Sequence, residues 1–185
     1  TAYEIPKRDW SSDVCSSDLI LFITRDDLIK RTPFGGNIQP EKLIPHVKTA
    51  QDKHMLPILG TVLFEYLQQI IAANTVSGIY EELLDDYIKD TLVHYTAVEA
   101  LPFLSYTFAN SGVVRNVGEV SQAPTKVEID FLLDKELQSA QFYAQRLRDF
   151  LIAKSTQIPQ YYQATGDARE VYPNRGVQYY TGWNI

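Results

Sequence analysis

From residue 40 onward, apolar positions recur at three- and four-residue spacing, the period of a helix with one buried face. Between 40 and 56 that face carries Leu43, Ile44, Val47, Ala50 and His54, and Pro57 predicts the stop. Pro45 lies inside this stretch, so the main helix is expected to start near it, after one turn from Pro40. Leu59-Gly60-Thr61 predicts a turn and a cap. A helix follows to about Asn74, with Val62, Leu63, Tyr66, Leu67, Ile70 and Ile71 on a broad apolar face. Ser77 is the expected cap of the longest helical stretch, whose early turns hold Glu81 and Glu82, where the helix dipole favours negative charge. Its stripe is Leu84, Ile88, Leu92, Tyr95, Val98 and Leu101. Pro102 predicts a kink or break before more helix over 103–110, with Gly112 as terminator.

Residues 113–124 have no helical period and predict a loop or short hairpin. Thr125-Lys126-Val127-Glu128 then spells a capping box. The helix after it, to about residue 154, repeats Ile129, Leu132, Leu133, Leu137, Ala140, Ala144, Leu147 and Leu151. This is the strongest periodic signal in the chain, and it predicts a main core element buried along Leu133, Leu137, Ala140, Ala144 and Leu147. Near the start, Thr24 is placed to cap a short helix over 25–30. The fold class these elements predict is all-α, a bundle of about four to five helices over residues 20–157, with an extended C-terminal arm over 158–185.

The arm differs in kind from the bundle. Pro159, Pro173, Gly166, Gly176 and Gly182 stop any regular element from running far, yet it holds Tyr161, Tyr162, Tyr172, Tyr179, Tyr180 and Trp183. Its charges, Asp167 and Glu170 against Arg169 and Arg175, cancel. A neutral, aromatic, irregular segment gains stability only by lying on a surface, its own domain's or a neighbour's, and large rings are enriched where proteins meet. These six aromatics are the candidate assembly contacts, with Tyr179, Tyr180 and Trp183 as the expected anchors.

Residues 1–19 stand apart. The run from Asp9 to Leu19, Asp-Trp-Ser-Ser-Asp-Val-Cys-Ser-Ser-Asp-Leu, resembles a one-frame translation of a widely used short-read sequencing adapter. That likeness implies that residues 1–19 are an unstructured artefact and contribute nothing to the fold. Lys7 and Arg8 against Glu4, Asp9, Asp13 and Asp18 make them −2 of the chain's net −6, leaving −4 for the rest. The single cysteine, Cys15, leaves with them.

Composition narrows the chemistry. With one cysteine among 185 residues there is no disulfide framework and no cysteine-built metal site. No apolar run reaches the ~18–20 residues of a spanning helix, and no signal peptide is expected at the front. The acidic balance offers no grip for a phosphate backbone. His46 and His54 are two turns apart, too far to share a metal, and His94 stands alone, so all three read as structural. Glu81, Glu82, Asp85, Asp86 and Asp90, like Asp130, Asp134 and Glu136, read as solvated faces. Gly35-Gly36 is followed by no Lys-Ser/Thr pair and reads as a turn. No serine sits in a nucleophile-elbow motif. No catalytic, cofactor-binding or metal residue is assigned, and an enzyme is not expected.

A resemblance sharpens this. Phe22-Ile23-Thr24-Arg25-Asp26-Asp27-Leu28, then Thr32-Pro33-Phe34-Gly35-Gly36-Asn37-Ile38, then Lys42-Leu43-Ile44-Pro45 and Ala50-Gln51-Asp52 leading into Pro57-Ile58-Leu59-Gly60-Thr61, is similar to uncharacterised structural proteins of crAss-like gut bacteriophages. The layout resembles the head-to-tail connector (adaptor, head-completion) proteins of tailed phages over roughly residues 22–165, departing from them in a longer final helix and a tyrosine-rich tail. The resemblance implies a virion structural protein of the neck, made in the host cytoplasm. It implies a homo-oligomeric ring, twelve-fold, docked beneath the portal protein, meeting tail and neck proteins and continuing the channel through which DNA passes without specific binding. A net-acidic wall is compatible with such passage. Other neck or tail-completion proteins, and a non-viral helical ligand-binding or regulatory bundle, are the competing readings.

Overall fold

Thr24 opens the first helix because its side chain and that of Asp27 serve each other's backbone. The Thr24 hydroxyl accepts the Asp27 N–H at 3.3 Å, and the Asp27 carboxylate accepts the Thr24 N–H at 2.8 Å. In the computed structural model, which describes residues 19–32, 40–104, 106–109, 112–115 and 125–175, this is α1 (Arg25–Arg31). The Gly35-Gly36 turn lies outside the described residues.

The second helical rod runs further than its prolines predict. It comprises α2 (Pro40–Ala50), a widened π-type turn (Gln51–Met55) and α3 (Leu56–Leu59), so helix passes through Pro57 and ends at Gly60. The ring of Pro57 would clash with the carbonyl four residues back, at Lys53, in an unbroken α-helix. The widened turn contains Lys53, and that is where the conflict is relieved. α4 (Thr61–Ala72) follows at once and buries Leu63, Phe64, Leu67 and Ile71. Its cap is Gly60 rather than Thr61.

The third rod is α5 (Ile79–Glu82), a second widened turn (Leu83–Ile88) and α6 (Lys89–Leu104). Gly78, with no side-chain cap, takes the place expected of Ser77. Of the predicted stripe, Leu84, Ile88, Leu92 and Tyr95 are buried, while Val98 and Leu101 are half-buried. Past Pro102 the helix lasts only to Leu104. The helix expected over 103–110 is instead a small antiparallel hairpin, β1 (Tyr106–Ala109) paired with β2 (Gly112–Arg115), with Tyr106 opposite Arg115. α6 tolerates Pro102 within its last turn, and beyond it β-branched Thr107, Val113 and Val114 suit a strand better than a helix.

α7 (Lys126–Ala153) is 28 residues long and starts at the predicted capping box, the Thr125 hydroxyl accepting from the Glu128 N–H at 3.3 Å. It runs antiparallel to α6, since His94 meets Glu136 near its first half and Tyr87 stacks on Phe150 near its end. Ala140 and Ala144 lie between them, small enough to let the two helices approach. The protein is therefore an all-α bundle, the hairpin being its one strand pair among the described residues. No described helix is long and apolar enough to cross a membrane.

Ahead of α1, Phe22 and Ile23 insert fully into the core. The buried Gln51 amide fastens this segment, donating to the Ile20 carbonyl and accepting the Phe22 N–H, both at 2.9 Å. Leu19, the last residue of the adapter-like run, packs half-buried against the same core, so the segment is not wholly without contact.

Candidate assembly surface

The arm divides at Arg175. Up to that residue it is fastened to its own domain. Ile158 and Tyr161 are fully buried and complete the core, with one 3₁₀ turn (Pro159–Tyr161) between them. Burial raises the Tyr161 phenol pKa against the opposing charge of Arg175, and its hydroxyl has no hydrogen-bond partner among the described residues. Tyr161 is thus withdrawn from the candidate assembly anchors: its ring surface is already used in cis. Tyr162 and Tyr172 stay exposed, the Arg175 guanidinium lying 4.2 Å from the centre of the Tyr162 ring. Tyr179, Tyr180 and Trp183 lie outside the described residues.

The fastening is built from backbone. Thr61 donates its N–H to the Val171 carbonyl, and its hydroxyl accepts the Val171 N–H, both at 2.9 Å. The hydroxyl predicted to cap α4 is thus engaged by the arm. Asn174 N–H donates to the Pro57 carbonyl at 2.7 Å, a carbonyl left accessible where the helix is about to end. Arg148 on α7 donates to the Asn174 carbonyl at 3.2 Å, and Arg175 donates to the Tyr161 carbonyl at 3.0 Å. Pro173 covers Gly60, where φ is +76° and an added Cβ would stand 2.6 Å from the proline ring, so only glycine fits. Between these points a loop closes on Glu170, whose carboxylate accepts the Thr165 and Gly166 N–H groups at 2.9 Å. Those backbone bonds hold Glu170 below the ordinary carboxylate range although desolvation works the other way.

At the other end of the molecule the surface is apolar and open. The first half of α7 carries Val127, Phe131 and Leu132 at 77, 60 and 48 % exposure, and antiparallel pairing sets Phe103, exposed on the last turn of α6, at the same end. Leu132, part of the apolar repeat read from the sequence, is exposed, and of the predicted buried stripe Leu133 and Leu137 are half-buried rather than core. Opposite ends of the bundle thus carry an aromatic arm and an apolar patch.

The histidines are drawn into packing. His54 stacks on Tyr95 at 4.0 Å and hydrogen-bonds Glu99 at 2.8 Å, and Lys53 reaches the same carboxylate oxygen at 2.8 Å. Burial opposes ionisation of Glu99, but those two hydrogen bonds and their charge outweigh it and hold the carboxyl below its usual range. His94 pairs with Glu136 at 2.7 Å and stacks on Tyr143, so Glu136 is a helix–helix tie and not part of a solvated face. His46 stacks on Phe103, and burial lowers its pKa. Asp85 and Asp90 are ion-paired, to Lys89 and Arg31. Among the described residues, no three His, Cys, Asp or Glu side chains converge as a metal cluster would.

These features define a helical bundle that carries a clamped aromatic arm. The chain belongs to a family of unknown function, DUF6712, which matches residues 55–169, from the widened turn before Pro57 to just short of the Thr61–Val171 clamp. No curated protein and no solved structure matches it.

Proposed function

We propose that this protein is a non-catalytic virion component, a ring-forming head-to-tail connector that docks under the portal and continues the DNA channel. The resemblance of residues 22–165 to phage neck proteins points to the role. The observation that carries it here is the polarity of the bundle. At one end the described arm stops at Arg175, ahead of an aromatic sequence without charged side chains, and the other end presents exposed Val127, Phe131 and Leu132. Surfaces of that kind at opposite ends suit a heterologous contact, which closes into a ring when the rotation between copies permits. The acidic balance suits a wall that lets DNA slide.

The test is solution mass across a wide concentration range, with electron microscopy of the assembled fraction. A closed ring of defined copy number is the expected result. A protein that stays monomeric at every concentration, with or without the portal protein, would sink the proposal. Truncation must start at Gly176, because residues 167–175 hold the arm to its own domain and their loss would confuse folding with assembly.

A further inference from the structure

Burial changes abruptly after Tyr161. Ile158 and Tyr161 are fully buried, whereas residues 162–169 are all exposed and no side chain from 162 to 175 is buried. The arm nevertheless returns to the bundle, through hydrogen bonds at its far end. The Thr61 N–H and hydroxyl meet the carbonyl and N–H of Val171, the Asn174 N–H meets the Pro57 carbonyl, and Arg148 meets the Asn174 carbonyl. The stretch between is bonded to itself. The Glu170 carboxylate accepts the N–H groups of Thr165 and Gly166, and the Asp167 carbonyl accepts the Glu170 N–H at 3.0 Å. Arg175 then latches the far end to the near one, donating to the Tyr161 carbonyl and lying against the Tyr162 ring.

A segment that buries little and is joined to the core by hydrogen bonds near solvent opens well before the molecule unfolds. The bonds within 165–170 survive such an opening, so the segment swings as a body about exposed Gln163 and Ala164. Val171, Pro173 and Asn174 lie within four consecutive residues, so they leave the corner together, and Arg175 with them. We propose that residues 162–175 are a strap that opens and closes as one unit on the Pro57–Thr61 corner while the bundle through Tyr161 stays folded. Closed, it covers Gly60 with Pro173 and fixes where the C-terminal sequence leaves the domain. Open, it uncovers the Pro57 carbonyl and the Thr61 N–H, and lengthens the free chain by residues 163–175, at most ~43–47 Å. The strap is thus a reversible retainer for the aromatic sequence beyond Arg175, whether or not copies form a ring.

Amide hydrogen exchange on the full chain, followed in rising sub-denaturing urea, tests it. The N–H groups of Thr61, Val171 and Asn174 all donate across the closed corner, Thr61 from the bundle and the other two from the strap. All three should share one protection, at least tenfold below that of α7 amides such as Leu147, and depend on urea far more weakly. Arg175→Ala, at an exposed position, should lower the protection of all three by one common factor of about ten, although the guanidinium holds Tyr161 and Tyr162 rather than the corner. Protection and urea dependence equal to those of the α7 amides would mean that the arm unfolds only with the bundle, and would overturn the strap. So would a variant that loses protection at Asn174 but not at Thr61, because the corner would then fray residue by residue.

Discussion

Residues 140–153 of α7 bury Ala140, Ala144, Leu147, Phe150 and Leu151 against the rest of the bundle, whereas residues 126–139 fully bury only Ile129. The first half is helical for local reasons. A capping box starts it, Glu128 places negative charge at the helix N-terminus, and Lys135 lies over the Phe131 ring one turn away. A helix that short is marginal in water by itself, and it is tied to the bundle by fewer contacts than the second half: Ile129 packs, Leu133 and Leu137 pack partly, and Glu136 bonds His94. Phe131 and Leu132 therefore add little to the stability of their own chain. Large apolar side chains at such positions are exposed, and the buried half is the support that carries them.

The contrast can be broken first at its buried end. Leu147→Ala should cost ~2–5 kcal/mol in chemical denaturation, the cost of emptying a fully buried leucine site. A loss under ~1 kcal/mol would mean that the second half is not the anchor described. Leu137→Ala, at the border between halves and only half-buried, should cost about 1–2 kcal/mol by the same measurement. Thr125→Ala removes the cap and should cost about 1 kcal/mol, seen as fraying of the first turn by NMR while residues 140–153 keep their protection.

Acid probes the same cap. Hydrogen bonds from the Thr125 N–H and hydroxyl hold Glu128 below the ordinary carboxylate range, so its charged form is favoured in the folded state. That contribution is complete above the unfolded carboxylate range near pH ~4 and is lost as pH falls through the lower folded value. Titration by NMR should show the first turn of α7 loosening only in strong acid, and in Glu128→Gln this acid step should disappear. The smallest effect is expected at the patch. Phe131→Ser in dilute, unassembled protein should change stability by no more than about 0.5 kcal/mol. A larger loss would show that the first half packs in cis after all.

The Thr125 capping box was legible because four consecutive residues contain all its chemistry, and Thr24 was legible as a cap although Asp27's reciprocal bond to its backbone was not read; the α7 period was legible because Ala140, Ala144, Leu147 and Leu151 obey it without interruption. What the sequence hid depends on distant partners. Pro57 looks like a stop until the widened turn at Gln51–Met55 relieves its clash, and Thr61 looks like a cap until Val171, 110 residues on, takes its hydroxyl. The helix beyond Pro102 was expected from continuing apolar content, which does not distinguish helix from strand in a short run. For the candidate site, composition said that the arm needs a surface, and up to Arg175 it lies on its own domain. Composition could not say that Tyr161 finds a surface at home, because that depends on where Arg148 and Arg175 lie. The His94–Glu136 tie, 42 residues apart, left no local signal.

The Gln51 amide also bears on the order in which the molecule is made. Residues 20–22 are synthesised before Gln51, and that single side chain supplies a hydrogen bond to Ile20 and one to Phe22. The first part of the described chain to emerge must therefore wait for α2 and its widened turn before it can dock. Donor and acceptor on one amide also set the register, since a slip of one residue would offer Gln51 the wrong backbone groups and move Phe22 out of its pocket. The segment thus docks in only one alignment.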